Sequence, residues 1–179
     1  MKKYELTEET VTVYGKTLYR IRAVRDFGSV KTGEFGGYIE KEENLSHFDN
    51  AWVCGDAWVF GNARVYDDAW VFGNARVCGD AKVYGNARVY DDAWVSGNAE
   101  VFNTRHFFVQ GPIGSRNGFI TFYRTKDNTV EVRCGCFSGS LQKFVDRVEE
   151  THGGSRYEKE YKLAAELAKV CIRLEGESR

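Results

Sequence analysis

Between residues 51 and 104, invariant apolar and variable positions alternate in a six-residue phrase that repeats nine times without a gap: AWVCGD, AWVFGN, ARVYDD, AWVFGN, ARVCGD, AKVYGN, ARVYDD, AWVSGN, AEVFNT. Ala and Val take the first and third places, with variable residues between them, which is the two-residue period of a strand with one buried side. The strand stops there, because Gly, Asp and Asn in the turn adopt left-handed backbone at little steric cost and bend the chain sharply. Three such bends close a triangle of 18 residues. The nine phrases therefore predict three coils of a parallel β-helix, stacked about 4.8 Å apart, around a thin interior of Val and Ala.

The pattern weakens toward both ends. Ile39 and Leu45 extend the first place of the phrase backward, but Lys41 and His47 then fall where Val should point inward, so residues 33–50 read as an imperfect leading coil. Residues 4–25 alternate as a β-hairpin around Tyr14-Gly15-Lys16, predicted to lie as a cap across the open end of the coils, where unpaired strand edges would otherwise be exposed. After Thr104 the glycine-rich stretch 105–116 reads as a connector. Two strands, GFITFYR and TVEVRCGCF, then flank a Lys126-Asp127-Asn128 turn. Ser140 can cap a helix running to about His152. A last helix, from about Tyr157 to Leu174, carries Tyr161, Ala164, Leu167, Ala168, Cys171 and Leu174 as one apolar stripe. The division expected is a hairpin cap at 1–32, the β-helix at 33–104, the connector at 105–116 and a ββαα domain at 117–179.

The repeats resemble the hexapeptide-repeat proteins with a left-handed parallel β-helix, and that resemblance implies a left-handed coil. GEFGGYIEKEENLSH before the repeats, with GSRNGFITFYRTKD and CGCFSGSLQKF after them, is similar to uncharacterised phage and prophage proteins. That likeness implies a phage setting and no particular activity. Acyl-transferring members of the hexapeptide family use a His base beside the coils, and the carbonic anhydrase branch uses three His ligands. Here the repeats hold no His, and His47, His106 and His152 lie outside them. Neither arrangement can be placed, no cofactor is called for, and His47 and His106 read as satisfied polar residues at the coil ends.

Outward residues sort into three faces at the 18-residue period. One carries Phe48, Tyr66, Tyr84 and Phe102 beside Ser46, Arg64, Lys82 and Glu100; a second carries Trp52, Trp70 and Arg88 beside Cys54, Phe72 and Tyr90; the third carries Trp58, Arg76 and Trp94 beside Phe60, Cys78 and Ser96. So much outward aromatic area on one chain predicts self-association, as a homotrimer. Arg64, Arg76 and Arg88 fall on three different faces, which argues against a nucleic-acid track. A formal net charge of −1 removes any global attraction to polyanions, so anion recognition must be local. No 18-residue apolar run occurs, and the five cysteines, an odd number, read as reduced thiols. A cytoplasmic protein with no membrane partner is expected.

Two places could hold a ligand. In the segment 111–118, GPIGSRNG, glycines could admit a ligand to the backbone while Ser115, Arg116 and Asn117 supply a hydroxyl, a guanidinium and an amide to an anion. In a groove between subunits, rings such as Tyr66 and Tyr84 could stack on a planar base or sugar while Arg64, Lys82 or Arg88 meets phosphate. Cys134, Cys136, His152 and Cys171 could ligate zinc only if the fold gathers them, and C-x-C lacks the usual knuckle spacing; Cys134 and Cys136, read as lying on one strand, would point to the same side. The reading that results is a non-enzymatic homotrimer of phage type that captures a small anionic or nucleotide-like ligand, such as a host-defence signal, or a host protein. Its rivals are an acyltransferase relative with His47 or His106 as a displaced base, and a purely structural trimer.

Overall fold

The computed structural model describes residues 1–175. The chain is mainly β, a solenoid with a small C-terminal domain that carries two helices. Three strands precede the repeats: β1 (Tyr4–Val13), β2 (Lys16–Ala23) and β3 (Phe35–Ile39). The repeats then supply three faces. One is β4 (Trp52–Val53), β7 (Trp70–Val71) and β10 (Arg88–Val89); the next is β5 (Trp58–Val59), β8 (Arg76–Val77) and β11 (Trp94–Val95); the third is β6 (Arg64–Val65), β9 (Lys82–Val83) and β12 (Glu100–Val101). Each strand pairs in parallel with the residue 18 further on, Val53 with Val71 and Val71 with Val89. All nine Val and all nine Ala of the repeats are at most 1% exposed, as the alternation requires.

The corners carry their own ladder. Gly79 sits at φ +70°, and a Cβ there would stand 2.8 Å from the amide nitrogen of Gly97 in the next coil, so both the angle and the close stacking demand glycine. Where Asp replaces Gly, at Asp67 (φ +56°), the carboxylate accepts a hydrogen bond from the Gly85 N–H at 3.0 Å. Asn50, Asn62 and Asn74 each donate to the Asp one coil on, at 2.7, 3.0 and 3.3 Å. The turn residues thus bond coil to coil while they bend the chain.

The leading coil differs from its expected register. Ile39 pairs with Val59 and Leu45 with Val65, a spacing of 20 residues, so both occupy the Val place rather than the Ala place. Lys41 is exposed and His47 half-buried, and neither points into the core. The two extra residues fall between Leu45 and Val53, eight residues apart where the later Val places are six apart. The step from Ile39 to Leu45 stays regular across a 3₁₀ turn, Glu42–Asn44, whose buried Asn44 amide donates to the carbonyls of Gly61 (3.1 Å) and Ala63 (2.8 Å).

The N-terminal hairpin does not lie across the coil end. β2 pairs antiparallel with β3, and β3 pairs in parallel with β5, so the hairpin prolongs one face into a six-stranded sheet, β1-β2-β3-β5-β8-β11. The end itself is closed by side chains. The Lys3 ammonium, fully buried, donates to the carbonyls of Ala51 (2.6 Å), Phe48 (3.1 Å) and Asp49 (3.3 Å), and burial pushes its pKa down to about 8. Trp52 is buried beside Tyr4 and Phe27.

At the other end a four-stranded antiparallel sheet runs β13 (Phe107–Ile113), β14 (Gly118–Arg124), β15 (Val130–Cys134), β16 (Phe137–Ser140), followed by α1 (Leu141–His152) and α2 (Arg156–Cys171). The stretch read as a connector, 105–116, is therefore mostly strand β13, and the domain has four strands rather than two. Glycine and proline disguised it: Phe107 and Ile113 are buried as a strand's inward residues would be, and Pro112 is tolerated because β13 is an edge strand. Ser140 and Ser155 accept the Lys143 and Glu158 amides as helix caps. In α2 the buried stripe is Tyr161, Ala164, Ala165 and Ala168, with Leu167 left 47% exposed, because the alanines let the helix approach the sheet on that side. Among the described residues no helix is long and apolar enough to cross a membrane.

Candidate functional site

The domain is stitched to the last coil by backbone and side chain together. The Trp94 N–H donates to Thr121 Oγ1 (2.9 Å), the Lys126 N–H to the Asn98 carbonyl (3.1 Å), and Ala99 bridges Thr125. Beside this seam, between the β5-β8-β11 face and the domain, lies a cleft of about 740 Å³. The solenoid contributes Asn74, Arg76, Asp92 and Trp94; the β13–β14 turn contributes Ser115 and Arg116; β14 and β15 contribute Phe119, Thr121, Arg133 and Cys134; the β15–β16 turn contributes Cys136; and α1 contributes Phe144, Arg147 and His152.

Its charge is strongly one-sided. Four guanidiniums, of Arg76, Arg116, Arg133 and Arg147, line it against the single carboxylate of Asp92, which accepts from Asn74. Arg147 has an exposed partner in Glu150 at 3.4 Å. Among the described residues Arg76, Arg116 and Arg133 have no carboxylate at ion-pair distance. Two of them are instead held by rings. The Arg76 guanidinium lies 4.7 Å from the Trp58 ring centre and 5.4 Å from that of Trp94, and Arg133 lies 3.9 Å from Trp94. Stacking on an aromatic face stabilises the cation but leaves its in-plane N–H donors unused. The Arg133 Nε is buried with no hydrogen-bond partner.

The residues singled out in the sequence separate into two groups. Ser115 and Arg116 line the cleft, while Asn117 lines a side groove with Pro112 and Leu163. Arg64, Tyr66, Lys82 and Tyr84 sit on the β6-β9-β12 face, where Tyr66 and Tyr84 stack at 4.9 Å between ring centres and Lys82 lies 3.8 Å from Glu100. The seven do not form one site. Nor is the glycine turn a backbone cradle: the Gly114 N–H donates to Glu160 at 2.9 Å, and a Cβ on Gly114 would stand 1.9 Å from the Tyr161 hydroxyl. The turn is glycine-rich because it packs on α2. Gly114→Ala is expected to lower the thermal midpoint well beyond Gly15→Ala, which shares a left-handed backbone but meets nothing within 4 Å. The difference should be about 1–3 kcal/mol, and equal melting of the two variants would remove the contact as a cause.

Cys134, Cys136 and His152 all border the cleft, but Cys136 lies in the β15–β16 turn, so it does not share a strand side with Cys134. Among the described residues no three His, Cys, Asp or Glu side chains are arranged to hold a metal. Burial pushes the Cys134 thiol up, and pushes the neighbouring Tyr161 phenol up to about 12, so both stay protonated at neutral pH. His47 and His106 stand at the coil ends, each accepting a backbone amide at Nδ1, from Lys3 (3.3 Å) and Phe102 (3.4 Å).

The aromatic faces are largely covered by the chain itself. Trp52 is 1% exposed, Phe60 is buried beside Leu18 and Tyr38, the hairpin tip Tyr14 stacks on Trp94, and Tyr90 packs on Phe107. Phe48 falls out of the Tyr66–Tyr84–Phe102 column, because the two-residue shift of the leading coil takes it out of register.

The family model of the YdcK β-solenoid repeat matches residues 63–79 and 81–97, the stretch that forms the middle of the coiled body. The chain is a β-solenoid repeat protein. No curated protein matches it. Within the solenoid, sequence reasoning missed Arg76 as a site residue, although an arginine in a column otherwise made of Trp58 and Trp94 was a legible signal. Arg133 had no such signal. It continues that column from another domain, where only the fold could put it.

Proposed function

We propose that this solenoid protein is a non-enzymatic binding protein that captures a small anionic, nucleotide-sized ligand in the cleft between the β5-β8-β11 face and the C-terminal domain. The observation that carries the reading is the three guanidiniums, of Arg76, Arg116 and Arg133, that line the cleft with no carboxylate at ion-pair distance among the described residues. A protein seldom retains cations unopposed in a concave site unless an anion completes them. The volume, about 740 Å³, falls within the range of small-molecule pockets. The displaced-base alternative gains no support from the positions of His47 and His106, since neither lines the cleft and burial, with the Arg124 charge, holds His106 down at about 4.

Arg116→Ala is expected to weaken nucleotide binding about tenfold to a hundredfold, the loss of a charge-assisted hydrogen bond. Its melting should be unchanged, because Arg116 is an exposed turn residue. Calorimetry against a nucleotide panel, beside a free-thiol release assay with an acyl-coenzyme donor, checks it. Binding heat with no thiol release supports capture; thiol release that is lost in His47→Ala or His106→Ala overturns it in favour of the enzyme.

A further inference from the structure

The four guanidiniums that line the cleft come from four elements. Arg76 belongs to β8, and Arg133, though carried by β15, is stacked on the solenoid's Trp94. These two make a wall whose N–H groups meet no acceptor among the described residues. Arg116 lies in the β13–β14 turn close enough to Tyr161 for its charge to act on the phenol, and Arg147 projects from α1. They make a second wall, carried by the C-terminal domain and outside the Trp94 stack. One phosphate or carboxylate satisfies one or two guanidiniums through paired in-plane bonds, and would leave the other wall unopposed. Apolar rings line the same cleft, and Phe119, which is 39% exposed, offers one for stacking.

We infer, building on the capture reading above, that the cleft selects ligands with two separated phosphate-type groups on a flat aromatic body, one group on each arginine wall. A dinucleotide has that chemistry: its phosphates are spaced by a sugar and its bases offer ring faces. A mononucleotide reaches only one wall, and pyrophosphate carries the charge without the ring or the spacing.

Titration calorimetry of the full chain with four probes tests this: 5′-phosphorylated diadenylate, AMP, adenosine and inorganic pyrophosphate. The dinucleotide is expected to bind at least tenfold more tightly than AMP, and adenosine and pyrophosphate more weakly than either. Arg147→Gln should bring the dinucleotide within threefold of AMP, and this residue is safe to change because its ion pair with Glu150 is exposed. Arg133→Gln should do the same from the other wall. Since that change also removes the stack on Trp94, Arg133→Lys is run beside it, and a matched melting curve shows that either loss comes from the site. AMP binding that equals dinucleotide binding, while remaining sensitive to Arg116→Ala, overturns the two-group inference and leaves capture standing. Absence of binding by all four probes overturns both.

Discussion

Val71→Asp is expected to unfold the solenoid. Val71 is fully buried in the middle coil, with Val53 and Val89 directly beside it in the ladder, and only Val and Ala side chains line the interior there. A carboxylate at that place finds neither water nor a cation, and a lone buried charge costs about 3–5 kcal/mol or more. That is comparable with the entire net stability of a domain, roughly 5–15 kcal/mol. Circular dichroism during heating should show the folded signal lost or the midpoint sharply lowered, whereas Arg88→Asp, exposed on the same face, should melt almost as the parent does. A Val71→Asp protein with unchanged melting would overturn the inward assignment of the valines.

The second large effect is an acid transition centred on His106. It is 7% exposed, and burial, with the nearby Arg124 charge, lowers its pKa from the ordinary 6.5 to about 4. The unfolded chain therefore takes up the proton first as pH falls. The stability that neutral His106 permits is intact above pH 6.5 and declines between 6.5 and 4, by about 3 kcal/mol over the whole interval. Denaturant unfolding at a series of pH values should show that decline, and His106→Gln, which keeps an acceptor for the Phe102 amide, should flatten most of it. Burial also lowers the His47 pKa, so a smaller slope of the same sign should remain in the variant. Parallel pH profiles for parent and variant would exclude His106 as the source.

The sequence disclosed the repeat body well because one rule, inward Val and Ala with a left-handed corner, is repeated nine times and each copy checks the others. It disclosed the ends poorly because each end is made once. The two-residue offset arises between Leu45 and Val53, in a stretch whose carbonyls are held by Lys3 from 45 to 48 residues away, a long-range contact with no local mark. The strand at 107–113 was hidden by Gly111 and Pro112, residues that speak against strands except at an edge. The cleft was half legible: Arg116 stood out for its glycine-rich surroundings, but its counterparts Arg76, Arg133 and Arg147 are scattered over 72 positions and meet only through the seam between coil and domain. The tyrosine face with Arg64 and Lys82 met every criterion visible along the chain, yet it lies on another side of the prism.

The 20-residue leading coil has a further consequence for assembly. A stack of identical coils is a template: its last rung presents amides, carbonyls and a perimeter that another chain could copy, and such stacks lengthen into filaments. Here the first rung is larger than the 18-residue coils above it, and the Ala51 carbonyl, which stands at a place that accepts from the coil below, is already occupied by the Lys3 ammonium together with those of Phe48 and Asp49. A regular coil laid against this end would find its rungs displaced by two residues and a buried cation in the way, which works against stacking there.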